Sequence, residues 1–295
     1  MRIAPCILFS LIVAAACEVS SATAANVSDF IDFSLRSDRN ALLLPGRLYV
    51  PPEASDPSSR RPLILFLHGA GESGTNNLAQ INVNIDNLLA EAKQRGAFLY
   101  APQTNASWGP ITITNHINSM LDRAIAEQLV DISRIYATGL SMGGGGVWNV
   151  LNRFPERFAA AVPIAAVSPA ADFVPATLLS EPIWAFHARN DSVVSATTSR
   201  NVVNSILSAA GESTPNYPSF RDSTTLFQFA SQRLDLRYTE SGSGGHGIWF
   251  GVYAYEPMYD WMFAHAVVPE PASLLLFGMA GAAMAIRRNR ASTRS

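Results

Sequence analysis

Cysteine is nearly absent: the 295-residue chain has two, Cys6 and Cys17, both at its amino end. Neither a disulfide framework nor a thiol nucleophile can belong to the rest of the chain. Charge is scarce too, at 15% of residues with a net of −2. With residues 1–25 and 269–295 set aside, 16 basic residues face 21 acidic ones, a net near −5. No basic stripe remains, so nucleic acid is excluded as a partner. No Gly-Lys-Ser/Thr follows the glycine-rich stretch near residue 143, and no acidic residue stands about 20 positions beyond it at the end of a second strand. No cluster has metal-ligand spacing, and no internal repeat is visible, so the sequence implies no cofactor. What is abundant is apolar: 48% of residues are hydrophobic, enough for one α/β domain of about 240 residues.

The two ends read as targeting segments. A single Arg2, an apolar run from Ile3 through Ala16 and the small-residue exit Ala22-Thr23-Ala24 form a signal peptide over residues 1–25. Cys17 is a poor lipoprotein acylation site, because the position three before it is Ala14 where a larger aliphatic residue is usual. At the other end, Val268-Pro269-Glu270-Pro271 precedes an uncharged stretch, Ala272 to Ile286, closed by Arg287-Arg288-Asn289-Arg290. Motif, apolar helix and basic tail together resemble the PEP-CTERM sorting signal of Gram-negative bacteria. The resemblance implies export, transient passage of the tail through the inner membrane and cleavage by an exosortase-type enzyme. The mature protein would then reside in the periplasm, at the cell surface or in the extracellular matrix. Fifteen uncharged residues are short for a permanent transmembrane helix, and the basic flank suits a cytoplasmic end.

Between the ends, residues 26–268 are organised around Arg134 to Val150. Arg134-Ile135-Tyr136-Ala137 has the composition of a buried strand, a helix starts by Gly145, and Gly139-Leu140-Ser141-Met142-Gly143 lies between. This is the G-x-S-x-G pattern of a nucleophile elbow, in which a strand turns into a helix so sharply that the positions flanking the serine must lack side chains. Such a turn holds the Ser141 hydroxyl at the carboxyl end of the sheet and aims the Met142 N–H at a developing oxyanion.

The rest alternates strands and helices. Arg47 to Val50 reads as an early antiparallel strand, and the apolar run Pro62 to Leu67 as a central parallel one ending in His68-Gly69-Ala70-Gly71-Glu72. Ala70, or else Gly71, is the candidate second oxyanion donor. His68 is expected to order that loop rather than to act as a base. Helical spacing runs unbroken from Asn77 to Arg95, and again from Asn115 to Leu129, with strands at Ala97–Pro102, Ala160–Ile164 and Pro182–His187. A helix follows over roughly 195–210, and a last strand spans Leu234 to Thr239. Trp108, in the loop after the 97–102 strand, is a candidate substrate contact or else a buried loop anchor. This order specifies a mainly parallel, doubly wound sheet with helices on both faces.

An acid and a histidine complete the arrangement. Asp191 follows the Pro182–His187 strand, whereas Asp172 and Asp222 lie in irregular stretches and Asp235 within a strand. His246 lies in the glycine-rich loop after the last strand, downstream of both Ser141 and Asp191; His187 precedes the acid, and His265 falls in a terminal helix. The chain order Ser141, Asp191, His246 is that of the α/β-hydrolase superfamily. The His-Gly-Ala-Gly-Glu loop, the Gly-Leu-Ser-Met-Gly-Gly elbow, the His-Ala-x-x-Asp segment and the Gly-Gly-His-x-x-Trp loop together resemble secreted carboxylesterases related to polyhydroxybutyrate depolymerase and feruloyl esterase. Those families shade into prolyl-oligopeptidase-type hydrolases. Such relatives usually carry Gly at the position of Ala188 and often an acid at that of Arg189 or Asn190, so the loop of the acid is expected to differ.

The resemblance implies hydrolysis of a small-molecule or polymeric ester, with Ser141 as nucleophile, His246 as base and Asp191 orienting it. Two other readings remain at this level. One is a serine peptidase of the prolyl-oligopeptidase type, although the chain has no room for an amino-terminal propeller. The other is a non-catalytic surface protein on a hydrolase fold.

Overall fold

The computed structural model describes residues 25–56 and 58–267. The signal peptide up to residue 24 and the whole sorting tail 269–295, including the apolar stretch 272–286, lie outside these residues. Among the described residues no helix is long and apolar enough to cross a membrane.

The strands are β1 (Phe30–Asp32), β2 (Leu35–Arg36), β3 (Leu42–Leu44), β4 (Gly46–Tyr49), β5 (Arg61–Leu67), β6 (Phe98–Pro102), β7 (Val130–Leu140), β8 (Ala160–Ile164), β9 (Ile183–Ala188), β10 (Phe227–Ala230) and β11 (Leu236–Ser241). The helices are α1 (Ala79–Asn82), α2 (Asp86–Gln94), α3 (Ile111–Glu127), α4 (Met142–Arg153), α5 (Thr197–Ala209), α6 (Trp249–Tyr253) and α7 (Glu256–Phe263). Nine strands form one sheet in the order β1-β4-β6-β5-β7-β8-β9-β11-β10, and β2 pairs with β3 apart from it. From β6 to β11 the pairs are parallel, while β1–β4, β4–β6 and β10–β11 are antiparallel.

Strand β5 shows why the sheet is covered on both faces. Leu63, Leu65 and Leu67 pack into a core with Ile117, Met120 and Leu121 of α3, Val147 and Leu151 of α4, and Ile206 and Leu207 of α5. Ile64 and Phe66 point the other way, to Leu88, Leu89 and Ala92 of α2 and to Met258, Tyr259 and Met262 of α7. Side chains alternate across a strand, so a continuous apolar run fills two cores. Parallel registry brings the strand ends together: Leu67 lies opposite Gly139, and Ala188 opposite Ser241. The loops after β5, β7, β9 and β11 therefore share one edge of the sheet. Val267 leaves at the other edge, where its N–H donates to Ser133 O, 2.8 Å away near the start of β7.

Three expectations are corrected. The segment 77–95 is two helices rather than one, broken at Val83-Asn84-Ile85, where Asn84 takes the left-handed conformation (φ 64°) that asparagine tolerates better than most residues. Strand β10, at the sheet edge, has no counterpart in the sequence reading, because its residues alternate between half-buried and exposed. His265 and Asp235 lie just outside α7 and β11, and pair with each other at 2.6 Å.

At the edge remote from those loops, Glu181 is 3% exposed and accepts the Glu156 N–H at 2.6 Å. Burial pushes its carboxyl up to about 7 from an ordinary value of 4.5. The folded protein then binds a proton that the unfolded chain has released, so stability should fall as pH rises from about 4.5 to about 7, by on the order of 3 kcal/mol. Glu181→Gln keeps the acceptor oxygen and removes the charge. Its melting temperature is expected to exceed that of the parent at pH 8 and to match it at pH 4; parallel melting curves across that range would contradict the assignment.

Candidate active site

The loop after β7 presents Ser141 with φ 54° and ψ −116°, a conformation that costs a residue with a Cβ about 1–3 kcal/mol. Its surroundings hold it there. Ser141 N–H donates to Ile164 O at 2.9 Å, and Ser141 O accepts from the N–H groups of Gly145 and Val167, each at 3.1 Å. Gly143 is obligatory for a steric reason, since a Cβ there would stand 1.8 Å from Leu67 O. Gly143→Ala must force the helix away from β5. It is expected to destabilise the fold by more than the ~1–3 kcal/mol of ordinary overpacking, read as a shift in denaturant midpoint; an unchanged midpoint would mean that the turn yields freely.

His246 Nε2 lies 2.9 Å from Ser141 Oγ, and His246 Nδ1 lies 2.7 Å from Asp191 Oδ2. A carboxylate only accepts, so the Asp191 contact places a proton on Nδ1; in the neutral tautomer this selects, Nε2 faces the hydroxyl with its lone pair. Asp191 is held in turn, because its Oδ1 accepts from Val193 N–H at 2.8 Å and Val194 N–H at 2.9 Å. Burial opposes its charge, but the bonds from His246, Val194 and Val193 outweigh it, and the carboxyl lies below the ordinary aspartate value.

Met142 is the first residue of α4, and Ala70 the first of a one-turn helix, Ala70–Glu72, after β5. The leading N–H groups of a helix lack an acceptor within it. Met142 and Ala70 both follow strands that end at the Ser141 edge, and Ala70 and Gly71 are exposed.

The other singled-out residues fall elsewhere. His68 is buried and orders its loop: Nδ1–H donates to Gly69 O at 2.6 Å and Nε2 accepts Thr104 N–H at 3.1 Å. Burial lowers its pKa and favours the neutral ring. Trp108 is 1% exposed, donates to His68 O at 3.0 Å and packs edge-on against the His68 ring. That arrangement makes Trp108 the loop anchor and corrects its candidacy as a substrate contact. Asp172 pairs with Arg153, and Asp222 caps Thr224 and Thr225, whereas Asp191 makes the contact with His246 Nδ1.

Two supporting residues were given no role in the sequence analysis. Asn190 Oδ1 accepts Gly245 N–H at 2.8 Å, tying the histidine loop to the acid loop. Gly245 adopts φ 59° at that point, which suits glycine. His187 lies beneath the acid, with Nε2 2.9 Å from Val194 O and 3.3 Å from Asp191 Oδ2; burial lowers its pKa. The only sequence signal for Asn190 was its departure from the acid common in relatives. Arg189 next to it turns into the interior and pairs with buried Glu240 at 2.8 Å.

A family model described as alpha/beta hydrolase fold matches residues 62–206, and one for the PEP-CTERM protein-sorting motif matches residues 267–290. A thermostable esterase structure is 30% identical with a TM-score of 0.67, over 81% of this chain and 64% of its own. An acetyl xylan esterase from Aspergillus awamori is 14% identical with a TM-score of 0.55, over 74% of this chain and 93% of its own. An S-formylglutathione hydrolase from Agrobacterium tumefaciens is 13% identical with a TM-score of 0.56, over 80% and 95%; these two share the fold alone. An uncharacterized secreted protein from Arthroderma benhamiae is 24% identical over 153 residues, 46% of this chain and 16% of that protein. The chain thus spans under two thirds of the thermostable esterase and about a sixth of the fungal protein.

Proposed function

The chain is an α/β-hydrolase carrying a PEP-CTERM sorting motif, and from that premise we propose that it is an exported serine hydrolase that cleaves carboxylic esters through an acyl-enzyme. The observation that carries the reading is the unbroken hydrogen-bonded chain from Ser141 Oγ through His246 to Asp191, at 2.9 and 2.7 Å. In this reading neutral His246 takes the hydroxyl proton as Ser141 attacks the ester carbonyl, and Asp191 stabilises the imidazolium. The N–H groups of Met142 and Ala70 receive the negative charge of the tetrahedral intermediate. His246 then returns its proton to the departing alcohol, and a water activated by the same imidazole releases the acid. The similarity to the thermostable esterase favours esters over amides.

Export follows from the amino-terminal segment and the sorting motif. An exosortase-type enzyme is the processing partner, and a surface or extracellular location in a Gram-negative bacterium is the destination. The test of substrate class is hydrolysis of p-nitrophenyl butyrate against the matching p-nitroanilide by residues 26–268. Turnover of the ester with little or none of the anilide is expected. Preference for the anilide would replace the esterase reading with a peptidase one.

A further inference from the structure

A second polar chain reaches the His246 ring through Trp249. Glu72, the last residue of the one-turn helix that begins with Ala70, is 8% exposed. Its Oε1 accepts from Asn84 Nδ2 at 3.0 Å, and its backbone oxygen accepts from Gln103 Nε2 at 3.0 Å. Asn84 sits in the break between α1 and α2, and its Oδ1 accepts from Trp249 Nε1 at 3.0 Å. Trp249 directly follows the short turn that bears His246, and its ring meets the imidazole edge-on, with centroids 5.0 Å apart and planes at 85°. Glu72, Asn84 and Trp249 thus join the turn offering the Ala70 N–H to the ring that faces Ser141.

Packing alone does not account for this arrangement. Glu72 is a buried carboxylate with no cation beside it among the described residues: burial holds the carboxyl above its usual range, against the opposing hydrogen bonds from backbone at Gly69 and Glu72 and from the Asn84 amide. Asn84 interrupts an otherwise continuous helical pattern to place its amide between the two loops. Strained backbone persists where surrounding structure requires it, most often at functional sites.

Building on the hydrolase reading, we infer that Glu72, Asn84 and Trp249 are positioning residues that hold the oxyanion-side turn and the His246 imidazole in one fixed relation. None of the three touches the reacting atoms. Their effect is on how often Ser141, His246 and the Ala70 N–H are aligned together, so it belongs in kcat rather than KM.

Two substitutions cut the chain without collapsing its surroundings. Asn84→Gly keeps the left-handed backbone and removes the amide, and Trp249→Phe keeps a ring beside His246 and removes the N–H. Each is expected to lower kcat for p-nitrophenyl butyrate about tenfold with KM changed less than about twofold. The double variant should be no worse than either single one, because both break the same link. Glu72→Gln should recover most of the kcat lost in Glu72→Ala. A readout independent of turnover is the proton NMR resonance of His246 Nδ1–H, expected to shift or to exchange faster in Asn84→Gly. Unchanged kcat and an unchanged resonance, or losses that multiply in the double variant, would overturn the relay. If the parent shows no ester turnover while the resonance still responds, the relay stands and the esterase reading falls.

Discussion

Ser141→Ala should lower kcat for p-nitrophenyl butyrate by about a millionfold, the loss seen when the nucleophile of a serine-histidine-acid arrangement is removed. The expectation rests on the geometry around the hydroxyl. The turn orients Oγ toward His246 Nε2 at 2.9 Å, and no other hydroxyl or thiol described lies on that ring. The substitution removes one oxygen and leaves the backbone bonds to Ile164, Gly145 and Val167 in place. The variant should therefore fold with an unchanged circular dichroism spectrum, and alanine should bear the φ of 54° as serine does. Turnover within tenfold of the parent would show that another group attacks the ester.

Asp191→Asn should lower kcat by about ten-thousandfold with little effect on folding, and this site dictates how. The N–H groups of Val193 and Val194 both point at Oδ1, so they would capture the carbonyl oxygen of the new side chain. Its NH2 group must then face His246 Nδ1, where the Oδ2 acceptor had been. An NH2 group donates, so the ring is driven to carry its proton on Nε2 instead. That proton would point at the Ser141 hydroxyl and leave it without a base. A variant retaining a tenth or more of parental kcat would mean that the ring is not oriented by Asp191.

What the sequence made legible is what chain order and local sterics govern. Parallel strands ending at one edge bring together the loops that follow them, so Ser141, Asp191 and His246 meet across steps of 50 and 55 residues. The glycines around Ser141 were readable because a Cβ at Gly143 meets a backbone oxygen, a constraint that belongs to the turn itself. The break at Asn84 was not readable. Leu78, Ile81, Ile85, Leu88, Leu89 and Ala92 keep helical spacing straight through it, and the partners that Asn84 meets at the break, Glu72 and Trp249, lie outside that pattern, Trp249 165 positions away. Trp108 carried two readings because a loop position says nothing of what covers it, and here the covering group is His68. Arg189 read only as a departure from an acid common in relatives, because the Glu240 that neutralises it stands 51 positions away on β11.

The most direct test of the central claim is fluorophosphonate labelling of residues 26–268, with the modified peptide mapped by mass spectrometry. An imidazole nitrogen at 2.9 Å and a turn that presents the hydroxyl at the sheet edge predict a single label on Ser141, lost in His246→Ala. A folded protein that takes no label, or takes it at another serine, would contradict the account.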